Sequence, residues 1–283
     1  MSGKYILLSH HVMACLLGYQ DMQHPTLNIA LKAARNAGDI ILRSLEFLDR
    51  IVFSEKSSHN YVSEVDRLAE KEIISILRNS FPHHAILGEE SGSIAGDDHV
   101  WIIDPLDGTT NFMHGVPHFC VSIGFQYKGR MEHGLIYDPV RQEIFTASRG
   151  QGAQLNDKRI RVSKTKELNA ALLTTEIFDV HSEDFFKKIK ISQELLQLVA
   201  GMRCGGSAAL DLAYVAAGRY DCFWQSHLKP WDIAAGVLLI KEAGGLVSDF
   251  GGGEDYFKSG DLVAGNPKVF KQLLQMIVRA YSL

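Results

Sequence analysis

At 283 residues, with 46% hydrophobic and 22% charged side chains, the chain can bury a sizeable core, which excludes a disordered or fibrous molecule. A formal net charge of -4 and a pI near 6.3 advertise no nucleic-acid footprint, and acids gathered around a cation are the more natural expectation. The four cysteines, Cys15, Cys120, Cys204 and Cys222, show no C-x-x-C spacing, so they read as free, mostly buried thiols of a reducing cytoplasm, not as a zinc or redox motif.

The segment 5–19 is fairly apolar but is interrupted by His10 and His11. No small-residue cleavage site follows it, and it is too short to span a bilayer. Residues 1–21 therefore read as a dispensable extension, with Met22 as an alternative start. From 27 to about 45, apolar residues recur at helical spacing (Leu27, Ile29, Ala30, Ala33, Ala37, Ile40, Ile41). A second helix is expected from 63 or 65 to 79, opening on acids that suit its positive end. Short apolar runs at 85–87, 100–103, 120–125, 132–137 and 143–147, separated by turns such as Lys128-Gly129 and Asp138-Pro139, predict an antiparallel meander. After about 163 strands and helices alternate: a strand at 171–175, helices near 185–200 and at 207–217, a strand at 220–224 and a helix at 233–243. The pattern predicts a layered α+β architecture with a half at 22–163 and a half at 164–283, packed as one unit without a linker.

The stretch Asp104-Pro-Leu-Asp107-Gly-Thr-Thr-Asn111 carries the chemistry. A run of hydrophobics ends in an aspartate, and Pro105 and Gly108 are expected to break the strand. Two carboxylates three residues apart at a strand end can converge on one hard cation, and oxygen ligands at a tight turn suit magnesium. Gly108-Thr109-Thr110-Asn111 reads as a helix start whose free N–H groups can cradle a phosphate. A cation site beside an anion cradle is what metal-assisted phosphoryl transfer requires; a merely capped or calcium-stabilised turn is the alternative. Glu89, in Gly88-Glu-Glu-Ser91, follows another short strand. Asp232 and Asp66 open helices, where each could be a plain capping acid.

Taken together, Gly-Glu-Glu-Ser, Trp101-Ile-Ile-Asp-Pro-Leu-Asp-Gly-Thr-Thr-Asn-Phe112 and Trp231-Asp-Ile-Ala-Ala-Gly236 followed by Glu242-Ala-Gly-Gly245 resemble the signatures of the inositol monophosphatase family, in order and spacing. The resemblance covers about Met22 to the C-terminus. The stretches 150–156, 207–218 and 247–250 are especially similar to its bacterial extragenic suppressor (SuhB) branch. The resemblance implies an αβαβα sandwich of the inositol monophosphatase / fructose bisphosphatase type. It implies magnesium-dependent hydrolysis of a small phosphate monoester, foremost inositol 1-phosphate, with two or three Mg2+ per site. Glu89, Asp104 and the Leu106 carbonyl would hold the first ion. Asp104, Asp107 and Asp232 would hold a second, and Glu89 would share a third through water. Thr109, backed by Asp66, would orient and deprotonate the attacking water. Gly108 and Thr109 would take the phosphate, with Ser207 and Ala208 offering backbone contacts to the alcohol; helix capping is the other reading of Ser207. Lys56 and Ser57 would lie in a loop that closes over the metals.

Two positions depart from the family pattern. Asn60 stands where Asp is common. Gln225 stands where a Glu seven residues before Asp232 accepts hydrogen bonds from inositol hydroxyls; Gln still accepts through its carbonyl but lacks the charge that strengthens such bonds. Nearby His227 reads as a substrate contact or a surface residue. Other sugar, nucleotide or histidinol phosphates are therefore rival substrates. The branch also implies a role of another class, binding to RNA polymerase-associated transcription factors on ribosomal RNA operons. Lys158-Arg-Ile-Arg161, Arg141 and Arg149 would supply the surface, or simply a solvated charge run. A homodimer, lithium sensitivity, a cytoplasmic location and no membrane contact complete what the resemblance implies.

Overall fold

The computed structural model describes residues 24–51, 53–57, 60–176 and 181–281, so the predicted extension at 1–21 lies outside the described residues. Helix α1 (Pro25–Leu45) starts with proline in its first turn, where the missing N–H is no loss. It packs on α2 (Glu64–Ser80), and a hairpin of β1 (Phe53–Ser57) and β2 (Asn60–Ser63) joins the two. The backbone of Lys56 and Ser57 is thus the end of a strand, not the expected loop; their side chains, and that of Asn60, lie outside what is described.

The main sheet contains β3 (Ala85–Gly88), β4 (Gly92–Ile94), β5 (His99–Asp107), β6 (Cys120–Tyr127), β7 (Arg130–Asp138), β8 (Glu143–Ser148), β9 (Gly152–Leu155) and β10 (Lys158–Ile160). The spatial order is β10-β9-β8-β7-β6-β5-β3-β4. From β5 to β10 it is the predicted antiparallel meander, while β3 runs parallel to β5. Pro105 does not end β5 as expected. The ladder with β6 shifts register between Asp104 and Asp107 and resumes at Asp107↔Cys120, so the strand bulges around proline. The short helix α3 (Thr109–Met113) follows at once.

The second sheet contains β11 (Leu172–Thr174), β12 (Gly201–Arg203), β13 (Cys222–Gln225), β14 (Leu246–Ser248) and β15 (Leu262–Gly265) in the order β12-β11-β13-β15-β14. Around it lie α4 (Phe185–Leu196), α5 (Ala208–Ala216), α6 (Pro230–Glu242), α7 (Tyr256–Ser259) and α8 (Pro267–Tyr281). Helix α4 stops earlier than its periodicity predicts, because Ala200 N–H is donated to Ala171 O and the chain enters β12.

Three cores define five layers. On β5, Trp101 and Ile103 face α1 and α2, while Ile102 faces α5 and α6. On β13, Phe223 faces α5 and α6, while Cys222 and Trp224 face α4 and α8. The period-2 alternation of each strand thus cements helices to both faces of both sheets, each large buried side chain contributing about 1.5–3 kcal/mol. Helix α6 lies close on the main sheet: a Cβ at Gly134 would sit 2.8 Å from Ala235 O. This contact ties α6, late in the chain, directly to the main sheet. No described helix is long and apolar enough to cross a membrane.

Candidate active site

Four elements deliver their acids to one place. Gly88 at the end of β3 pairs with Ile103 of β5, and Glu89 N–H is donated to Ile103 O at 3.1 Å. Glu89 is thereby set beside Asp104. The next residue is fixed from α2: Glu90 N–H is donated to Glu70 Oε1 at 3.0 Å. Asp104 is 2% exposed and its Oδ1 accepts from Leu106 N–H at 3.1 Å. Asp232 caps its own helix, with Oδ2 accepting from Lys229 N–H at 2.7 Å.

Electrostatics shows that these carboxylates see one another. Burial, then Glu89, Asp107 and Asp232, push the Asp104 carboxyl well above the usual carboxylate range. Burial, then Asp107 and Glu89, do the same to Asp232. Asp107 is raised chiefly by burial, against the pull of Ser207 and Ala209, which donate to its Oδ2 at 2.6 and 2.7 Å. Ser207 is the first residue before α5 yet its hydroxyl makes no cap. The capping alternative for Ser207 is thereby replaced by a tie to Asp107. Cys120 is buried between these two, and burial keeps its thiol protonated.

Beside the acids stands a proton path. Thr109 Oγ1 lies 2.9 Å from Asp66 Oδ1 and 3.1 Å from Leu106 O, two acceptors for one hydroxyl proton. Asp66 is 1% exposed and does two jobs. Its Oδ2 accepts from Ser63 N–H at 2.8 Å and Ser63 Oγ at 2.6 Å, closing a capping box on α2, while Oδ1 serves Thr109. Gly108 stands before Thr109 at φ 98°, a left-handed conformation that favours glycine, and a Cβ there would meet His118 O at 3.0 Å.

A profile of the inositol monophosphatase family matches residues 22–282. The chain belongs to this family. It is 56% identical over 259 residues to a Pseudomonas aeruginosa protein named Nus factor SuhB, covering 89% of this chain and 96% of that one. The Escherichia coli protein of the same name is 51% identical over 253 residues, with 89% and 95% covered. A crystal structure of the extragenic suppressor protein suhB from Bartonella henselae matches with TM-score 0.87 at 41% identity, covering 90% and 98% of the two chains. The Thermotoga maritima IMPase structure matches with TM-score 0.82 at 34% identity, with the same coverages.

The donor set suits the family's magnesium. It is all oxygen, and the raised carboxyls show acids crowded enough to favour a neutralising cation. A second group of ligand types lies elsewhere: ring or carboxylate atoms of His84, Asp97 and His99 come within 4.8 Å of one another. His84 and His99 border a cavity of about 400 Å³, shared with His24, Phe125 and His133, at the opposite end of β5. Trp101 Nε1–H is donated to His84 Nδ1 at 3.1 Å, so an ion on Nε2 would leave that imidazole with no proton. Hard-cation chemistry favours the all-oxygen set, although its carboxylates are more widely spaced than this group.

Of the other predicted contacts, Gln225 ends β13 opposite Leu262, half-buried at the rim of the second sheet. Ala208 begins α5 next to the Ser207 tie. His227 is exposed and points to Asp184, 3.4 Å away. Lys158 and Arg159 are exposed on the edge strand β10. Sequence reasoning missed Glu70, His118 and Asp211. Glu70 lies one helical turn after Asp66 on the same face of α2, and Asp211 is the lone acid of an otherwise apolar helix; each was a legible signal.

Proposed function

We propose that the chain hydrolyses a small phosphate monoester with magnesium, inositol 1-phosphate foremost, and that two or three ions are held by Glu89, Asp104, Asp107, Asp232 and the Leu106 carbonyl. The observation that carries this reading is the mutual electrostatic contact of Glu89, Asp104, Asp107 and Asp232 beside the Thr109–Asp66 hydrogen bond. Asp107 would serve through Oδ1, because Ser207 and Ala209 already occupy Oδ2. When bound, magnesium supplies Lewis-acid polarisation of the phosphoryl oxygen and acidifies the attacking water. The chain does the rest. Water donates to Thr109 Oγ1 while the threonine proton moves to Asp66 Oδ1, and the Ser63 donors keep that carboxylate aimed. The amides of Gly108 and Thr109 hold the phosphate, and Ser207, Ala208 and Gln225 meet the alcohol. Glu89 helps align the water. Residues 22–163 supply most of the ligands, and residues 164–283 add Asp232 and the alcohol contacts.

A screen of purified protein with Mg2+ against phosphate monoesters, wild type beside Asp104→Asn, tests this. Hydrolysis retained by the variant would sink the ligand assignment. The names of relatives at 51–56% identity favour a second, compatible role in transcription, through contacts with polymerase-associated factors. Asp104→Asn should leave any such binding intact. A cytoplasmic homodimer belongs to the same reading.

A further inference from the structure

Asn111, in the phosphate-cradle helix, donates through Nδ2 to His118 O at 2.7 Å and to Gly205 O at 2.8 Å. The His118 ring then reaches across as well. Its Nε2–H is donated to Asp211 Oδ1 at 3.1 Å, and Thr174 Oγ1–H to Asp211 Oδ2 at 2.5 Å. The Asp211 side chain is 3% exposed and that of His118 14%, so this is an enclosed, charge-assisted contact. Asn111 and His118 come from the first half of the chain, whereas Thr174, Gly205 and Asp211 come from the second.

The loop between β12 and α5 is clasped in that grip. A Cβ on Gly205 would lie 2.6 Å from both Asp211 Oδ1 and His118 Nε2, and one on Gly206, at φ 81°, would lie 2.9 Å from Asn111 Nδ2. The loop leads straight into Ser207, which holds Asp107, and into Ala208. Its position therefore sets where alcohol-binding groups stand relative to the phosphate cradle.

We infer that His118 and Asp211 are positioning residues that hold the Gly205–Ser207 loop against the α3 cradle and so govern selection of the substrate's alcohol. The inference rests on the phosphatase reading for its kinetic consequence, but the tie itself does not. Neither residue is placed on substrate; they act through the loop.

The test compares wild type, His118→Phe, which removes the donor, and His118→Gln, which restores one. Hydrogen exchange of peptides covering 204–209 reads the tie. Ratios of kcat/KM for inositol 1-phosphate over p-nitrophenyl phosphate, an ester with no sugar hydroxyls, read its consequence. His118→Phe should speed exchange at 204–209 and lower the ratio about tenfold, mostly through KM. His118→Gln should recover most of both. Unchanged exchange, an equal loss on both substrates, or no recovery with glutamine overturns the inference. Wild type inactive on both esters would instead refute the phosphatase reading, and exchange alone would then decide the tie.

Discussion

Asp104→Asn should exchange activity for stability, because of the acids around it. The carboxyl faces three others, from Glu89, Asp107 and Asp232, and is buried. At an effective dielectric of about 20, two like charges about 5 Å apart repel by roughly 3 kcal/mol. Asparagine removes that repulsion while its Oδ1 still accepts from Leu106 N–H. In EDTA at alkaline pH the variant should be more stable by about 1–3 kcal/mol, a rise of roughly 2–5 °C in Tm for a chain of this size. The same raised carboxyls set a pH trend. The folded chain binds protons that the unfolded chain releases, so this contribution is fully present below the ordinary carboxylate range and is lost as pH rises through the folded values. Wild-type Tm in EDTA should therefore fall as pH rises above the ordinary carboxylate range, more steeply than that of the variant, and saturating Mg2+ should flatten the wild-type trend. Differential scanning calorimetry with and without Mg2+ measures all of this. A variant less stable than wild type in EDTA, or one gaining as much from Mg2+, would refute the reasoning.

Thr109→Ala breaks the proton path to Asp66 and should lower kcat about 10²–10³-fold with little change in Mg2+ affinity; a loss below about fivefold in steady-state assays would remove Thr109 from the water's path. Gln225→Glu should raise kcat/KM for inositol 1-phosphate relative to p-nitrophenyl phosphate by about tenfold, the gain of a charged acceptor. An unchanged ratio would place the alcohol elsewhere. Lithium at millimolar concentration should inhibit by competing for the second ion's ligands, so a rate indifferent to it would argue against an ordinary family site.

Much of the site was legible before any coordinates. Asp104, Asp107 and Gly108 are neighbours in sequence, and a strand ending in acids followed by glycine and a helix start is a local pattern. The meander was equally legible, because its strands alternate and its turns carry their own residues. Several of the shortest elements were not. Strands β4, β12, β14 and β15 are only three or four residues long, too few for a period to emerge, and pairing with neighbours creates them. Local rules also misjudged Pro105 as a strand end, since a bulge absorbs it, and left capping open for Ser207, whose hydroxyl is drawn to a carboxylate a hundred residues away.

By itself, then, the order of residues determined the layered α+β class, the family signatures and the identity of the acids, because these depend on periodicity and on contiguous motifs. Only the tertiary structure decided that Asp232 meets Asp104 and Asp107, that Asp66 serves Thr109 as well as its own helix, and that His118 grips Asp211. Those contacts join residues 43 to more than 90 positions apart, and no local preference encodes a meeting that only two sheets packed through shared helices can bring about.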